Sequence, residues 1–115
     1  MLAERIRAVI DSHGFQIDDD QVLKVTCSLG FACFPFMPGN PQKFSWENVV
    51  HIADAGLYAA KRSGRNAWVG LSATAKLTEP DGLLQRLRDN SAQCIASGEL
   101  EVESSLEDPN QLVWE

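Results

Sequence analysis

The segment ADAGLYAAKRSGRN, residues 53 to 66, ends in a cluster of cations interrupted by a glycine. Lys61 and Arg62 close a run of helical character, Gly64 breaks it, and Arg65 follows at once. The helix dipole favours cations in a last turn by about 0.3–1 kcal/mol, which explains them without any ligand. Because Gly64 lets the chain leave the helix axis, however, Arg65 and Lys61 can also converge on one anion. The residue types therefore allow either a simple helix end or a phosphate clamp.

A helix predicted from about Trp46 to Ser63 must position this cluster. Ser45 is a favourable N-cap, and Gly64 stands where a left-handed backbone costs little. Asp54 and Tyr58 lie along one edge of the helix, together with Lys61. Apolar and small residues share the neighbouring side, which predicts close packing on a sheet: Val49, Ile52, Ala53, Gly56, Leu57 and Ala60.

The chain before this helix alternates between helix and strand patterns. Apolar residues recur at helical spacing over residues 2–12, and the sequence then predicts a short strand at Phe15 and Ile17 and a turn at Asp18–Asp20. Residues 23–34, LKVTCSLGFACF, alternate with period two and have a small second face. We expect one strand there, with another element packed closely on it.

The chain after Gly64 predicts three more elements. AWVGL, residues 67–71, indicates a short apolar strand. An amphipathic helix is expected from about Leu83 to Ile95, ended by Gly98. ELEVESS, residues 99–105, has the pattern of an edge strand with its acidic side chains outward.

Composition narrows the classes of function. The 115 residues carry a net charge of -6 and contain no apolar run of the roughly 20 residues that a membrane span needs. Residues 1–70 hold seven basic and seven acidic residues, whereas residues 71–115 hold three and nine. The acidic tail disfavours nucleic acid as a partner. We expect a cytoplasmic protein that binds neither nucleic acid nor membrane through this segment.

The cysteines and the acidic turn predict no metal site. Cys27, Cys33 and Cys94 are an odd number without metal-ligand spacing, so we expect reduced, buried thiols. Three adjacent acids at Asp18–Asp20 point in different directions and indicate a solvated turn rather than a metal loop.

Two stretches resemble a known family. VTCSLGFA and ADAGLYAAKRSGRNAWV, preceded by LAERIRAVI, are similar to the C-terminal half of the GGDEF domain of diguanylate cyclases. The resemblance covers residues 1 to 70 and leaves residues 71–115 as an acidic C-terminal extension with an amphipathic helix and a strand. It implies an α+β fold, part of a palm-like (ferredoxin-like) nucleotide-cyclase domain, with an antiparallel sheet packed by helices.

The resemblance also implies a chemistry. In the family two GTP molecules on two apposed domains condense to cyclic di-GMP, and the lysine and arginine matching Lys61 and Arg65 hold the triphosphate. Asp54, Tyr58 and Asn66 match the pattern too, and we assign them to positioning the helix end. Arg5 matches an arginine that can serve an inhibitory product site. The partner motif of that site is absent, so an ordinary exposed arginine is the favoured explanation.

The sequence departs from the family pattern in the residues that the family needs for catalysis. The Gly-Gly-Asp/Glu-Glu-Phe hairpin, the acids that bind Mg²⁺ and the guanine-recognising residues belong to the family's N-terminal half, and these 115 residues contain no such motif. The chain is therefore expected to be inactive alone, with no bound Mg²⁺. An alternative is a degenerate, non-enzymatic GGDEF module used for protein interaction or dimerisation.

A homodimer is the expected assembly. In the family the strand matching Val25 to Phe31 lies beside a strand of the N-terminal half, so here its edge would be open. Two copies can join such edges antiparallel, or residues 99–105 can fold back over the edge. We favour the dimer, because Glu99, Glu101 and Glu103 suit an outer strand.

Overall fold

A computed structural model describes residues 1–108 and 111–114 and shows an α+β fold with three helices and two small sheets. The helices are α1 (Leu2–Ser12), α2 (Trp46–Arg62) and α3 (Leu83–Ala96). The strands are β1 (Gly14–Gln16), β2 (Val22–Lys24), β3 (Leu29–Ala32), β4 (Trp68–Ala73) and β5 (Leu100–Ser104).

The larger sheet is mixed, with strand order β3-β4-β5. β3 and β4 run parallel, with Leu29 opposite Trp68, and β4 and β5 run antiparallel, with Leu71 opposite Val102. An entirely antiparallel sheet was therefore the wrong expectation for the β3–β4 pair. The reason is the connection, because α2 carries the chain back across the sheet and a strand-helix-strand unit aligns its two strands in parallel.

The single strand predicted over residues 23–34 is two strands that belong to different sheets. β2 pairs back on β1 as an antiparallel hairpin, with Phe15 opposite Leu23. The predicted turn at Asp18–Asp20 connects them, and the Asp18 carboxylate accepts a hydrogen bond from the Asp20 amide at 2.9 Å. Residues 25–28 form no strand and separate the hairpin from β3. The alternating pattern continues across residues 25–28. It could not reveal the break, because period-two patterning does not identify which strand each segment pairs with.

Two glycines let α2 lie close to the larger sheet. A Cβ on Gly30 in β3 would collide with backbone atoms of Ala53 and Leu57 in α2. A Cβ on Gly56 would lie 2.8 Å from the carbonyl oxygen of Val69 in β4. The small face predicted for the strand and the small residues predicted for the helix therefore face each other, as expected.

The core lies between α2, the larger sheet and α3. Ile52, Leu83 and Val69 are fully buried, and two loop phenylalanines, Phe36 and Phe44, pack edge to face with ring centroids 5.5 Å apart. Every buried position among the described residues lies at residue 36 or beyond. The core is therefore built by the central and C-terminal parts of the chain.

β5 forms the outer edge beside β4, as its alternation predicts, with Glu101 and Glu103 exposed. Glu99 lies before the strand, and its carboxylate accepts hydrogen bonds from Arg86 of α3 at 2.7 and 2.9 Å. The expectation that Glu99 faces outward was therefore wrong. The hydrogen bonds from the Arg86 guanidinium lower the pKa of the Glu99 carboxyl.

The free edge of β3 is not covered by β5, because β5 pairs with β4 on the other side of the sheet. The alternative in which residues 99–105 fold back over that edge is therefore also wrong.

The three cysteines have different environments. Cys94 is buried, and burial raises the pKa of its thiol. Cys33 is exposed and Cys27 is half-buried, so the expectation that all three are buried was wrong for these two. Cys27 lies in the segment between β2 and β3, and Cys33 directly follows β3, so both are outside the core.

Candidate functional site

The C-terminal end of α2 is the candidate site, and its backbone turns sharply. The Arg65 amide donates to the Ala60 carbonyl at 3.0 Å, and the Ser63 amide donates to the Ala59 carbonyl at 2.9 Å. Gly64 has a φ of 104°, the left-handed conformation expected of a glycine after a helix. The predicted helix end is confirmed, and the bond from the Arg65 amide to the Ala60 carbonyl is the longer of the two bonds of a Schellman motif.

The left-handed backbone continues past the glycine. Arg65 has a φ of 62° and Asn66 a φ of 49°. Asparagine tolerates this region, but an arginine there is disfavoured by about 1–2 kcal/mol. Strained residues of this kind persist only where surrounding contacts hold them, and they concentrate at functional sites.

Helix α1 supplies those contacts through Asn66. Arg7 donates from its Nη1 atom to Asn66 Oδ1 at 3.1 Å, and Asn66 Nδ2 donates to Asp11 Oδ2 at 3.3 Å. The amide therefore bridges two residues of α1, one turn apart. Asn66 therefore joins the turn after α2 to α1, and its assignment to positioning the helix end stays a prediction.

A second pair of contacts joins α1 to the start of β4. The Trp68 indole Nε1 donates to Glu4 Oε2 at 2.7 Å, and Arg7 donates from its Nε atom to the same oxygen at 2.9 Å. Hydrogen bonds from Arg7 and from Trp68 lower the pKa of the Glu4 carboxyl to about 2. We call Glu4, Arg7, Asp11, Asn66 and Trp68 the brace, because these five residues hold α1 against the turn after α2.

Sequence reasoning missed most of the brace. Glu4, Arg7 and Asp11 have the spacing of ion pairs within one helix, so their mutual contacts were available from the sequence. Their contacts with Asn66 and Trp68 join residues more than fifty positions apart and have no local sequence pattern.

The brace leaves the two predicted phosphate contacts at the surface. Lys61 and Arg65 are both exposed, and neither side chain has a hydrogen bond or an ion pair with the described residues. Two free cations beside a held turn can accept a phosphate or another polyanion. Their contact with phosphate stays a prediction.

The other predicted residues lie elsewhere. Arg5 is exposed on α1, and its guanidinium has no partner in residues 1–108 or 111–114. Asp54 and Tyr58 line a groove between α2 and α3 rather than the helix end. The C-terminal segment and α3 line the same groove, and the assignment of Asp54 and Tyr58 to positioning the helix end stays a prediction.

Other features of the described residues bear on chemistry. Within residues 1–108 and 111–114 no group of three or more His, Cys, Asp or Glu side chains is placed to hold a metal ion. The described helices include none with the length and apolar character to cross a membrane. No protein-family model, curated protein or solved structure matches the chain.

Proposed function

We propose that residues 1–70 form the C-terminal half of a GGDEF-like, palm-like domain, acting in the cytoplasm, and that the end of α2 contacts the phosphates of GTP. In such a domain two GTP molecules condense to cyclic di-GMP. One observation carries the proposal: the strained turn at Arg65 is held by the brace while Lys61 and Arg65 stay exposed. Residues held in such a backbone conformation concentrate at functional sites, which supports a role for this turn beyond ending the helix.

The side chains, rather than the helix backbone, supply the attraction in this proposal. The C-terminus of a helix carries about half a negative charge, which repels phosphate. Lys61 and Arg65 must therefore offset the dipole, and the net charge of -6 opposes binding further. We expect weak affinity for GTP in this chain alone.

Catalysis by the chain alone is not expected. Condensation of GTP spreads negative charge over the phosphoryl oxygens, and Mg²⁺ neutralises much of that charge. In the proposed parent domain the acids that bind Mg²⁺ belong to the other half. Incubation of the chain with GTP and Mg²⁺ should yield no cyclic di-GMP by chromatography, and detectable product would contradict this part of the proposal.

The clamp is tested by titration of GTP into the wild type and the double variant Lys61→Ala/Arg65→Ala. Loss of two charge-assisted contacts should weaken binding by about tenfold or more. The matched control is Lys24→Ala/Lys76→Ala, which removes the same charge from two exposed lysines outside the turn. If both double variants weaken GTP binding equally, only net charge matters, and the clamp is refuted.

A second candidate function is a non-enzymatic module that dimerises. The free edge of β3 supports it, since that strand pairs only with β4 among the described residues. Hydrogen exchange measured at several protein concentrations tests the homodimer. Outward amides of Leu29–Ala32 should gain protection as concentration rises, whereas those on the outer edge of β5 should not. Exchange of β3 independent of concentration would refute edge pairing.

A further inference from the structure

A groove of about 690 Å³ lies between α2 and α3, away from the brace. Its volume falls within the range of about 300–1,000 Å³ typical of small-molecule sites. Leu84 and Leu87 of α3 and Ala55 of α2 provide its apolar lining, and Trp114 of the C-terminal segment also lines it. A ligand with an apolar body therefore finds a surface on which to bury it.

Trp114 is fixed where it lines the groove. The buried Ser91 hydroxyl of α3 donates to the Trp114 carbonyl at 3.1 Å. The Val113 amide donates to Ser63 Oγ, at the end of α2, at 2.7 Å. The C-terminal segment therefore spans both helices, and its tryptophan is a positioned part of the groove.

Charged residues line the groove on both helices. On α3, Asp89 follows Arg88, and its carboxylate accepts a hydrogen bond from Gln85 Nε2 at 2.8 Å. Asp54 belongs to α2 and Arg88 to α3, and both side chains are exposed. Among the described residues neither side chain has a hydrogen bond or an ion pair. Arg86, two residues earlier in α3, bonds the Glu99 carboxylate at 2.7 Å, whereas Arg88 has no such ion pair among the described residues. Asp54 and Arg88 line one groove yet stay separate.

We propose that this groove binds a small zwitterion with an apolar body, of the dipeptide class. Its amine contacts Asp54, its carboxylate contacts Arg88, and its side chains pack on Leu84, Leu87 and Trp114. Two extended residues span about 7 Å, so a dipeptide can present its amine and its carboxylate to different walls of the groove. Tyr58 adds an aromatic face on the α2 side.

Calorimetric titration with the dipeptide Leu-Phe tests the proposal. Two analogues each remove one charge: the N-acetyl form loses the cation, and the C-terminal amide loses the anion. The wild type should bind Leu-Phe about tenfold more tightly than either analogue, because each loses a hydrogen bond between charged groups. GMP serves as the alternative probe.

Two variants assign each charge to one end of the ligand. Asp54→Asn should abolish the preference for the free amine over the acetyl form while keeping the preference for the carboxylate. Arg88→Gln should do the reverse. Glu101→Gln and Lys24→Gln are the matched controls, with exposed charges outside the groove, and should keep both preferences.

Three results would overturn the assignment. The first is no binding of Leu-Phe at millimolar concentration to the folded wild type. The second is equal affinity for Leu-Phe and both analogues, which would leave only apolar contact. The third is binding of GMP that Arg88→Gln weakens, with no binding of Leu-Phe, which would identify the groove as a nucleotide site.

Discussion

Helices α1 and α2 are both amphipathic, but only α2 buries its apolar face. Five residues of α2 are buried, whereas α1 has none, and Leu2, Ile6 and Val9 remain 69%, 40% and 62% exposed. α2 lies on two strands at glycine contacts, while α1 meets the start of β4 through polar side chains. Apolar patterning thus makes a helix able to form a core, but burial requires a surface that fits it.

The β1–β2 hairpin extends the same contrast. Both of its strands are exposed along their length, and Phe15, Val22 and Leu23 are among the exposed large apolar residues. A hairpin of two strands is marginally stable in water unless it packs on another element. Residues 1–28 therefore depend on the brace and on local hydrogen bonds, whereas the rest of the chain depends on a core.

The largest expected effect comes from truncating one isoleucine in each helix, which tests the contrast between the buried α2 and the exposed α1. Ile52→Ala should lower the free energy of unfolding by about 2–5 kcal/mol, because Ile52 is fully buried and its truncation leaves a cavity. Ile6→Ala, at a position 40% exposed, should cost less than about 1 kcal/mol. Urea unfolding followed by circular dichroism measures both values. Equal losses would mean that α1 is as firmly packed as α2.

A pair of glycines tests the close approach of α2 to the sheet. Gly30→Ala should cost about 1–3 kcal/mol, because the new Cβ would meet backbone atoms that cannot rotate away. Gly39→Ala is the control, since its Cβ would have no neighbour within 4 Å. Thermal unfolding of the two variants should separate them clearly. A stable Gly30→Ala variant would show that α2 can move off β3 at little cost.

The brace makes a smaller, pH-dependent contribution. The folded-state pKa of Glu4 is about 2, below its ordinary value of 4.5, so the unfolded chain takes up the proton first. Its contribution to docking α1 is complete above about pH 4.5 and is lost as the pH falls toward 2. The NMR signal of the Trp68 indole N–H should shift as Glu4 is protonated in the folded protein, with a midpoint near pH 2.

Two controls sharpen the pH experiment. In Glu4→Gln the Trp68 signal should not move over the same pH range, because the acceptor no longer titrates. The exposed Trp46 indole, whose ring lies against Phe34, should be insensitive to this substitution. If the Trp68 signal of the wild type is constant from pH 5 to 2, the Glu4 contact does not hold α1.

Local elements were largely predictable from the sequence. The bounds of α1 and the ends of α2 follow from helical periodicity, from Ser45 as a cap that accepts from the Asn48 amide at 3.1 Å, and from Gly64. The acidic edge strand follows from alternation. These features depend on residues within a few positions of one another, so the pattern records them directly.

The pairing of the strands, the contacts between distant side chains and the exposure of individual residues could not be predicted in the same way. The sequence by itself determined which segments are helical, where α2 ends and that Lys61 and Arg65 stand on either side of Gly64. Only the tertiary structure decided that residues 23–34 divide between two sheets, that Asn66 and Trp68 hold α1, and that Asp54 faces a groove with Arg88. The physical reason is that backbone propensity and capping are short-range, whereas strand pairing and polar contacts between distant residues depend on how whole elements pack.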